Sequence, residues 1–106
     1  MKKNWKLLIG TWELTHVGGQ KVAVDPEHGP CLYTFNEKYF IIQESRLYRK
    51  KHVPYVCHLD WNGLQTRNSV VLVHHLTKDR LLIEELPWKN GEEVERVSKR
   101  FYRVLR

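Results

Sequence analysis

The chain has 106 residues, 42% hydrophobic and 11% aromatic, and its 18 Lys and Arg outnumber its 12 Asp and Glu for a net charge of +6. That length allows one domain around one modest core, and that composition excludes a disordered chain. No apolar run approaches the roughly 20 residues that a membrane helix needs.

The opening, Met1-Lys2-Lys3-Asn4-Trp5-Lys6-Leu7-Leu8-Ile9, has the outline of a secretory leader. Gly10, Thr11, Trp12 and Glu13 break its apolar stretch short of the roughly 7–15 residues of a cleavable core. It reads as charged residues running into a first strand, with secretion after loss of a leader as the alternative. From Leu8 to Val17 the even positions Leu8, Gly10, Trp12, Leu14 and His16 share one face of a strand. Glycine destabilises a strand by roughly 0.5–1 kcal/mol against alanine, so Gly10 beside Trp12 marks a tight corner where backbone or another chain comes close.

Gly18-Gly19-Gln20 supplies the positive φ angles of a reversal. Lys21–Val24 is a short strand or the edge of a loop, and Asp25-Pro26-Glu27-His28-Gly29-Pro30 is loop. Cys31–Phe35 alternates again, turns at Asn36-Glu37-Lys38, and returns as Tyr39–Ser45. This is a hairpin with Tyr33 and Phe35 on one side and Phe40 and Ile42 across from them. Arg46–His52 is a basic connector. Pro54 places the strand Val53–Leu59 at an edge or a strand beginning, and Asn62-Gly63 is the strongest short hairpin signal in the chain. Ser69–Leu76 is nearly all apolar, Lys78-Asp79 turns it into Arg80–Leu86, Pro87–Gly91 is loop, and Val94–Leu105 is the last strand.

Nothing repeats at helical spacing over ten positions, so little or no helix is expected. Short strands, frequent turns and short connections favour antiparallel pairing of consecutive strands. Seven or eight such strands close into an up-and-down barrel, which removes exposed edges. The expected fold is all-β: one small antiparallel up-and-down β-barrel spanning residues 1–106.

Leu8-Ile9-Gly10-Thr11-Trp12-Glu13-Leu14 resembles the first strand of fatty-acid-binding proteins and of small bacterial lipocalin-like domains. Tyr33-Thr34-Phe35-Asn36 and Leu76–Glu85 resemble later hairpins of those lipocalin-like domains. In order and spacing the likeness to the calycin superfamily covers nearly the whole chain. It implies a lipocalin-like barrel and the binding of a small ligand inside it. In fatty-acid-binding proteins an R-x-Y pair on the last strand grips a ligand carboxylate, and Arg100 and Tyr102 match that pattern. A guanidinium offers a carboxylate two parallel hydrogen bonds and a phenol adds a third. In lipocalins a closing-strand arginine instead packs over the G-x-W tryptophan at the barrel floor, which cation–π attraction rewards by roughly 0.5–2 kcal/mol. Phe101 and Arg103 share one face and Arg100 and Tyr102 the other, so either arginine can meet Trp12. Fatty-acid-binding proteins carry a helical lid between their first two strands; the matching Gly18–Pro30 is short and proline-rich.

The expected function is non-enzymatic binding of a small, largely apolar molecule, in one version anionic, inside the barrel. Its expected ligand-binding residues are Trp12, His16, Phe35, Phe40, Tyr55, Cys57, Arg100 and Tyr102, with Leu14 and Ile42 beside them. The alternative within the same fold is a barrel filled by Trp12, Phe35, Phe40, Ile42, Tyr55 and Leu81, with a floor and little cavity. No cofactor, metal or catalytic residue is assigned. His74-His75 and Cys57-His58 are adjacent on strands and face apart, as do Glu84-Glu85, and no nucleophile elbow or phosphate-binding glycine loop occurs. Cys31 and Cys57 fit no metal spacing. They read as reduced, buried thiols, which places the protein in the cytoplasm; the alternative is a disulfide, which requires their strands to sit side by side. A rival function uses Arg46, Arg49, Lys50 and Lys51 with Tyr48, Tyr55 or Trp61 to hold single-stranded nucleic acid or an acidic partner. The sequence carries no signal for oligomeric state.

Overall fold

The computed structural model describes residues 4–27, 29–43, 50–58, 60–87 and 96–104. A single 3₁₀ turn, Trp5–Leu8, leads into nine strands: β1 (Gly10–Val17), β2 (Gln20–Lys21), β3 (Leu32–Phe35), β4 (Tyr39–Gln43), β5 (Lys50–His58), β6 (Gly63–Thr66), β7 (Ser69–Leu76), β8 (Arg80–Pro87) and β9 (Val97–Arg103). Every pairing is antiparallel. From β3 to β9 each strand pairs with the next, and β1 pairs with both β3 and β9. Eight strands therefore close on themselves. The two-residue β2 is an addition beside the far end of β1, in register with His16 and Val17. The barrel expected from turn spacing is the fold observed, with little helix.

Several local expectations shift. Leu8 belongs to the 3₁₀ turn and not to the first strand, which starts at Gly10. Of Lys21–Val24, only Lys21 is in a strand. The connector Arg46–His52 yields its last three residues to β5, since Lys50, Lys51 and His52 pair with Gln43, Ile42 and Ile41. Arg46, Tyr48 and Arg49 lie outside the described residues, as do His28, Leu59, Trp88–Glu95 and Leu105. Pro54 sits within β5, yet at an edge. The Tyr55 N–H donates to Lys38 O, so the alternating ladder turns the Pro54 nitrogen away from β4. On that flank β6 pairs only with Tyr55–His58, and no donor is missed.

Inward side chains fill one end of the barrel. Leu8, Trp12, Leu64, Leu81 and Phe101 are fully buried, and Tyr33, Phe35, Phe40, Tyr55, Val71, Val73 and Ile83 complete the core. Phe35 and Phe40 have ring centroids 4.9 Å apart, and Tyr33 meets Phe101 edge-on at 4.8 Å. Such pairs contribute about 0.5–1.5 kcal/mol each beyond their burial.

The 3₁₀ turn is tied to this end by one arginine. Arg103 lies with its guanidinium carbon 4.1 Å from the centre of the Trp12 ring. Its Nε donates to Lys78 O at 2.6 Å, Nη1 to Ile9 O at 3.0 Å, and Nη2 to Leu7 O. The Trp12 Nε1–H donates to Leu8 O at 3.0 Å. Arg103, in register with Trp12, is thus the arginine that covers it, and Arg100 is not. Gly10 lets this happen. It has a φ of +131°, and a Cβ there would stand 2.7 Å from Arg103 Nη1. Gly10→Ala is expected to destabilise the protein by roughly 1–3 kcal/mol, for backbone strain and a displaced guanidinium, read as a lower urea midpoint.

Candidate functional site

Away from the filled end the barrel wall opens. β5 runs on past the end of β6, so its stretch Lys50–Pro54 stands beside the Thr66–Ser69 turn without pairing to it. Between them lies a cavity of about 470 Å³. Phe40, Ile42 and Val53 form its apolar wall, Glu85 reaches it from β8, and Lys51 and Arg67 stand at its rim. Buried Thr66 shapes the turn: its Oγ1 accepts the N–H groups of Asn68 (3.2 Å) and Ser69 (3.0 Å).

Behind Glu85 is a polar cluster inside the barrel. Lys99 Nζ donates to Tyr33 OH at 3.0 Å and to Glu85 Oε1 at 3.2 Å. Lysine occupies an acceptor site of the phenol, and of the three residues Glu85 is the one that lines the cavity. Burial pulls the Lys99 ammonium down, but Tyr33 and Glu85 more than offset this and hold it above its ordinary value. Tyr33 is raised, chiefly by burial and against the pull of Lys99. The cluster is an ion pair plus a neutral phenol.

At the filled end, burial pushes Tyr55 up to about 12 from an ordinary 10.0, helped by Cys57 and Glu37, while its OH donates to Asn36 O at 2.5 Å. The folded state holds the protons of Tyr33, Tyr55 and Lys99 more tightly than the unfolded chain does. Stability from each group is complete below its ordinary value and lost as pH climbs through the raised one, a window that for Tyr55 runs from about pH 10 to about 12. The Tyr55 part is on the order of 2 kcal/mol. Urea midpoints between pH 9 and 12 are expected to fall, and to fall less steeply in Tyr55→Phe.

Four of the eight sequence-derived candidates, Trp12, Phe35, Phe40 and Tyr55, point into the barrel, and of these Phe40 lines the cavity. Tyr55 is buried and Trp61 is stacked on His58, so neither ring is set out beside Lys50 and Lys51 for a base to stack on. The other four are elsewhere. His16 does not share the Trp12 face, because a β-bulge between Leu14 and His16 puts His16 in register with Arg100 on the outside. Arg100 and Tyr102 are exposed on the outer face of β9, while Val97, Lys99, Phe101 and Arg103 alternate inward. An R-x-Y grip from inside the barrel is therefore ruled out by register. Cys57 is exposed near the filled end, where its sulfur is still enclosed enough for burial to raise the thiol. Cys31 is half-buried, so neither cysteine is the buried thiol expected, and the two are not bonded to each other.

His74 and His75 also depart from the expectation of opposite faces. A second bulge, between Val73 and His75, brings His75 opposite Leu82 on the outside, and exposed His74 contacts Glu84 there. Glu84 and Glu85 do face apart, outward and inward. Among the described residues no group of three or more His, Cys, Asp or Glu could hold a metal ion. No helix among them is long and apolar enough to cross a membrane. Lys99, Tyr33 and Glu85 escaped the sequence reading as a site. Counting by twos from Phe101 to Lys99 was the available signal.

No protein-family model, curated protein or solved structure matches the chain.

Proposed function

We propose that this chain is a calycin-type barrel that binds a small, largely apolar molecule without transforming it, in the cavity beside β5. The observation that supports the reading is the pairing of an apolar wall, Phe40, Ile42 and Val53, with a half-buried carboxylate at one side, Glu85, whose partner Lys99 holds it from behind. Ligand pockets of about 300–1,000 Å³ have this make-up, mostly apolar with few convergent polar groups. Apolar contact supplies affinity, and the polar groups set orientation. Lys51 and Arg67 at the rim favour an acidic end group on a ligand that lies with its apolar body inward.

Titration with fluorescent fatty acids and retinoids tests this. Saturable binding at one site is expected, with Ile42→Trp, which fills the cavity, weakening it tenfold or more (~1.4 kcal/mol). Failure of every such probe to bind the folded native chain would refute the reading. Binding that Ile42→Trp leaves intact would place the ligand elsewhere. A retardation assay with single-stranded nucleic acid at two salt concentrations tests the rival reading, since phosphate contacts weaken steeply with salt.

A further inference from the structure

The outer face of the barrel carries a second constellation, independent of the interior cavity. In one row across four strands stand His16 of β1, Arg100 of β9, Leu82 of β8 and His75 of β7, each in register with the next. Arg80 and Tyr102 pair in the adjoining row. These six residues line a cleft of about 210 Å³.

Two separate irregularities build the row. Regular alternation would send His16 to the inside after Trp12 and Leu14, and His75 to the inside after Val71 and Val73. One bulge in β1 and another in β7 turn both imidazoles outward, onto either side of Arg100 and Leu82. Bulges re-aim side chains in this way next to functional sites. His16 is also held in place. The Thr15 hydroxyl donates its one proton to Arg100 O at 3.1 Å, so at 2.9 Å it accepts from His16 Nδ1–H. That leaves His16 Nε2 to meet a ligand, as a donor when the ring is charged or as the acceptor of a ligand hydroxyl when it is neutral.

The charge is unspent. Among the described residues neither Arg80 nor Arg100 makes a side-chain hydrogen bond or ion pair; Arg80 lies over the Tyr102 ring at 5.4 Å. Tyr102 is 45% exposed. Among the described residues, the outward carboxylates on these strands are Glu13, in register with Tyr102, and Glu84, which is engaged by His74 and Arg96. Two guanidiniums and two imidazoles thus face one remaining carboxylate. A metal cation is disfavoured by the arginine between the rings. A planar carboxylate has two acceptor oxygens, fewer than this donor set serves. A phosphoryl group has three, with up to two charges, and arginine forks match it. Below the roughly 300–1,000 Å³ of drug-sized pockets, the cleft has room for such a group on a small organic body resting on Leu82 and Tyr102.

We propose that this row is a binding site for the phosphoryl group of a small phosphate-bearing molecule. The test is titration of the ¹⁵N-labelled full chain with inorganic phosphate and with a nucleoside monophosphate, against chloride at equal ionic strength. Saturable amide shifts confined to residues around Thr15–His16, His75, Leu82 and Arg100 are expected. Arg100→Gln is expected to weaken binding about tenfold or more, as for loss of a charge-assisted hydrogen bond. The variant's own spectrum reports its fold, and His75→Ala tests the same row should Arg100→Gln not fold. Shifts that match the chloride control, or that gather at Lys51 and Arg67, would overturn the proposal. A short single-stranded oligonucleotide that shifts the same row far below the concentrations needed for the monophosphate would also overturn it, by assigning the face to nucleic-acid backbone. None of these outcomes depends on an apolar ligand entering the barrel, which Ile42→Trp tests separately.

Discussion

Replacing Trp12 with alanine is expected to cost roughly 3–5 kcal/mol, the range for removing a large aromatic side chain from a core. Trp12 is 0% exposed, donates its indole N–H to Leu8 O, and carries Arg103 on its ring. The loss therefore includes three terms: buried area, one hydrogen bond and the cation–π contact. Arg103 gives the companion test. It joins the last strand, the 3₁₀ turn and the turn before β8 through Lys78 O, Ile9 O and Leu7 O. Arg103→Met keeps the apolar stem but strips three donors, and a cost of roughly 2–4 kcal/mol is expected. Arg103→Lys is expected to recover only a fraction, because a single ammonium cannot serve three carbonyls and stack as a planar group does. Urea unfolding followed by tryptophan fluorescence and by circular dichroism measures both. A cost below about 1 kcal/mol for Arg103→Met would show that the latch is not a stabilising element.

The second large effect is expected inside the barrel. Lys99 and Glu85 side chains are 18% and 22% exposed, and their ion pair is shared with the Tyr33 hydroxyl. Lys99→Met leaves the Glu85 carboxylate without its cation beside an apolar wall. Breaking a buried pair in this way costs about 3–5 kcal/mol, and the residual exposure of this pair points to the lower end. The double variant Lys99→Met, Glu85→Leu is expected to be clearly more stable than Lys99→Met alone, because both charges are then gone. Tyr33→Phe is expected to cost about 1 kcal/mol, since Lys99 keeps Glu85 as a partner. If Lys99→Met and the double variant are equally stable, the cluster is not coupled and its members act separately.

Much of the fold was legible in the chain. Alternation in Leu8–Val17, Cys31–Phe35 and Arg80–Leu86 is a local property with a period of two, so it marks strands without any knowledge of their neighbours. Asn36-Glu37-Lys38, Asn62-Gly63 and Lys78-Asp79 announce reversals for equally local reasons. Short connections then force antiparallel neighbours, and closure follows from burying every edge. The inward positions of Trp12, Phe35, Phe40 and Tyr55 were readable in the same way.

The site was less legible, because facing is a matter of register. One extra residue in a strand reverses the face of every residue after it. The bulge after Leu14 moved His16 from the interior to the outer row, and the bulge before His75 set both neighbouring histidines on one side. Neither bulge has a glycine or proline to announce it; each exists because of what β1 and β7 pair with. Period two on the last strand grouped Lys99 with Phe101 and Arg103, and apart from Arg100 and Tyr102. Only the pairing of Trp12 with Arg103 decided which group faces the core. The sequence by itself determined an all-β chain and its turns, while the meeting of Trp12 with an arginine of the last strand was one of two roles that the resemblance implied. The tertiary structure decided which arginine, where the interior cations and carboxylates lie, and where β6 ends short of β5. Those depend on contacts between residues tens of positions apart, such as Tyr33 with Lys99, which no local pattern encodes.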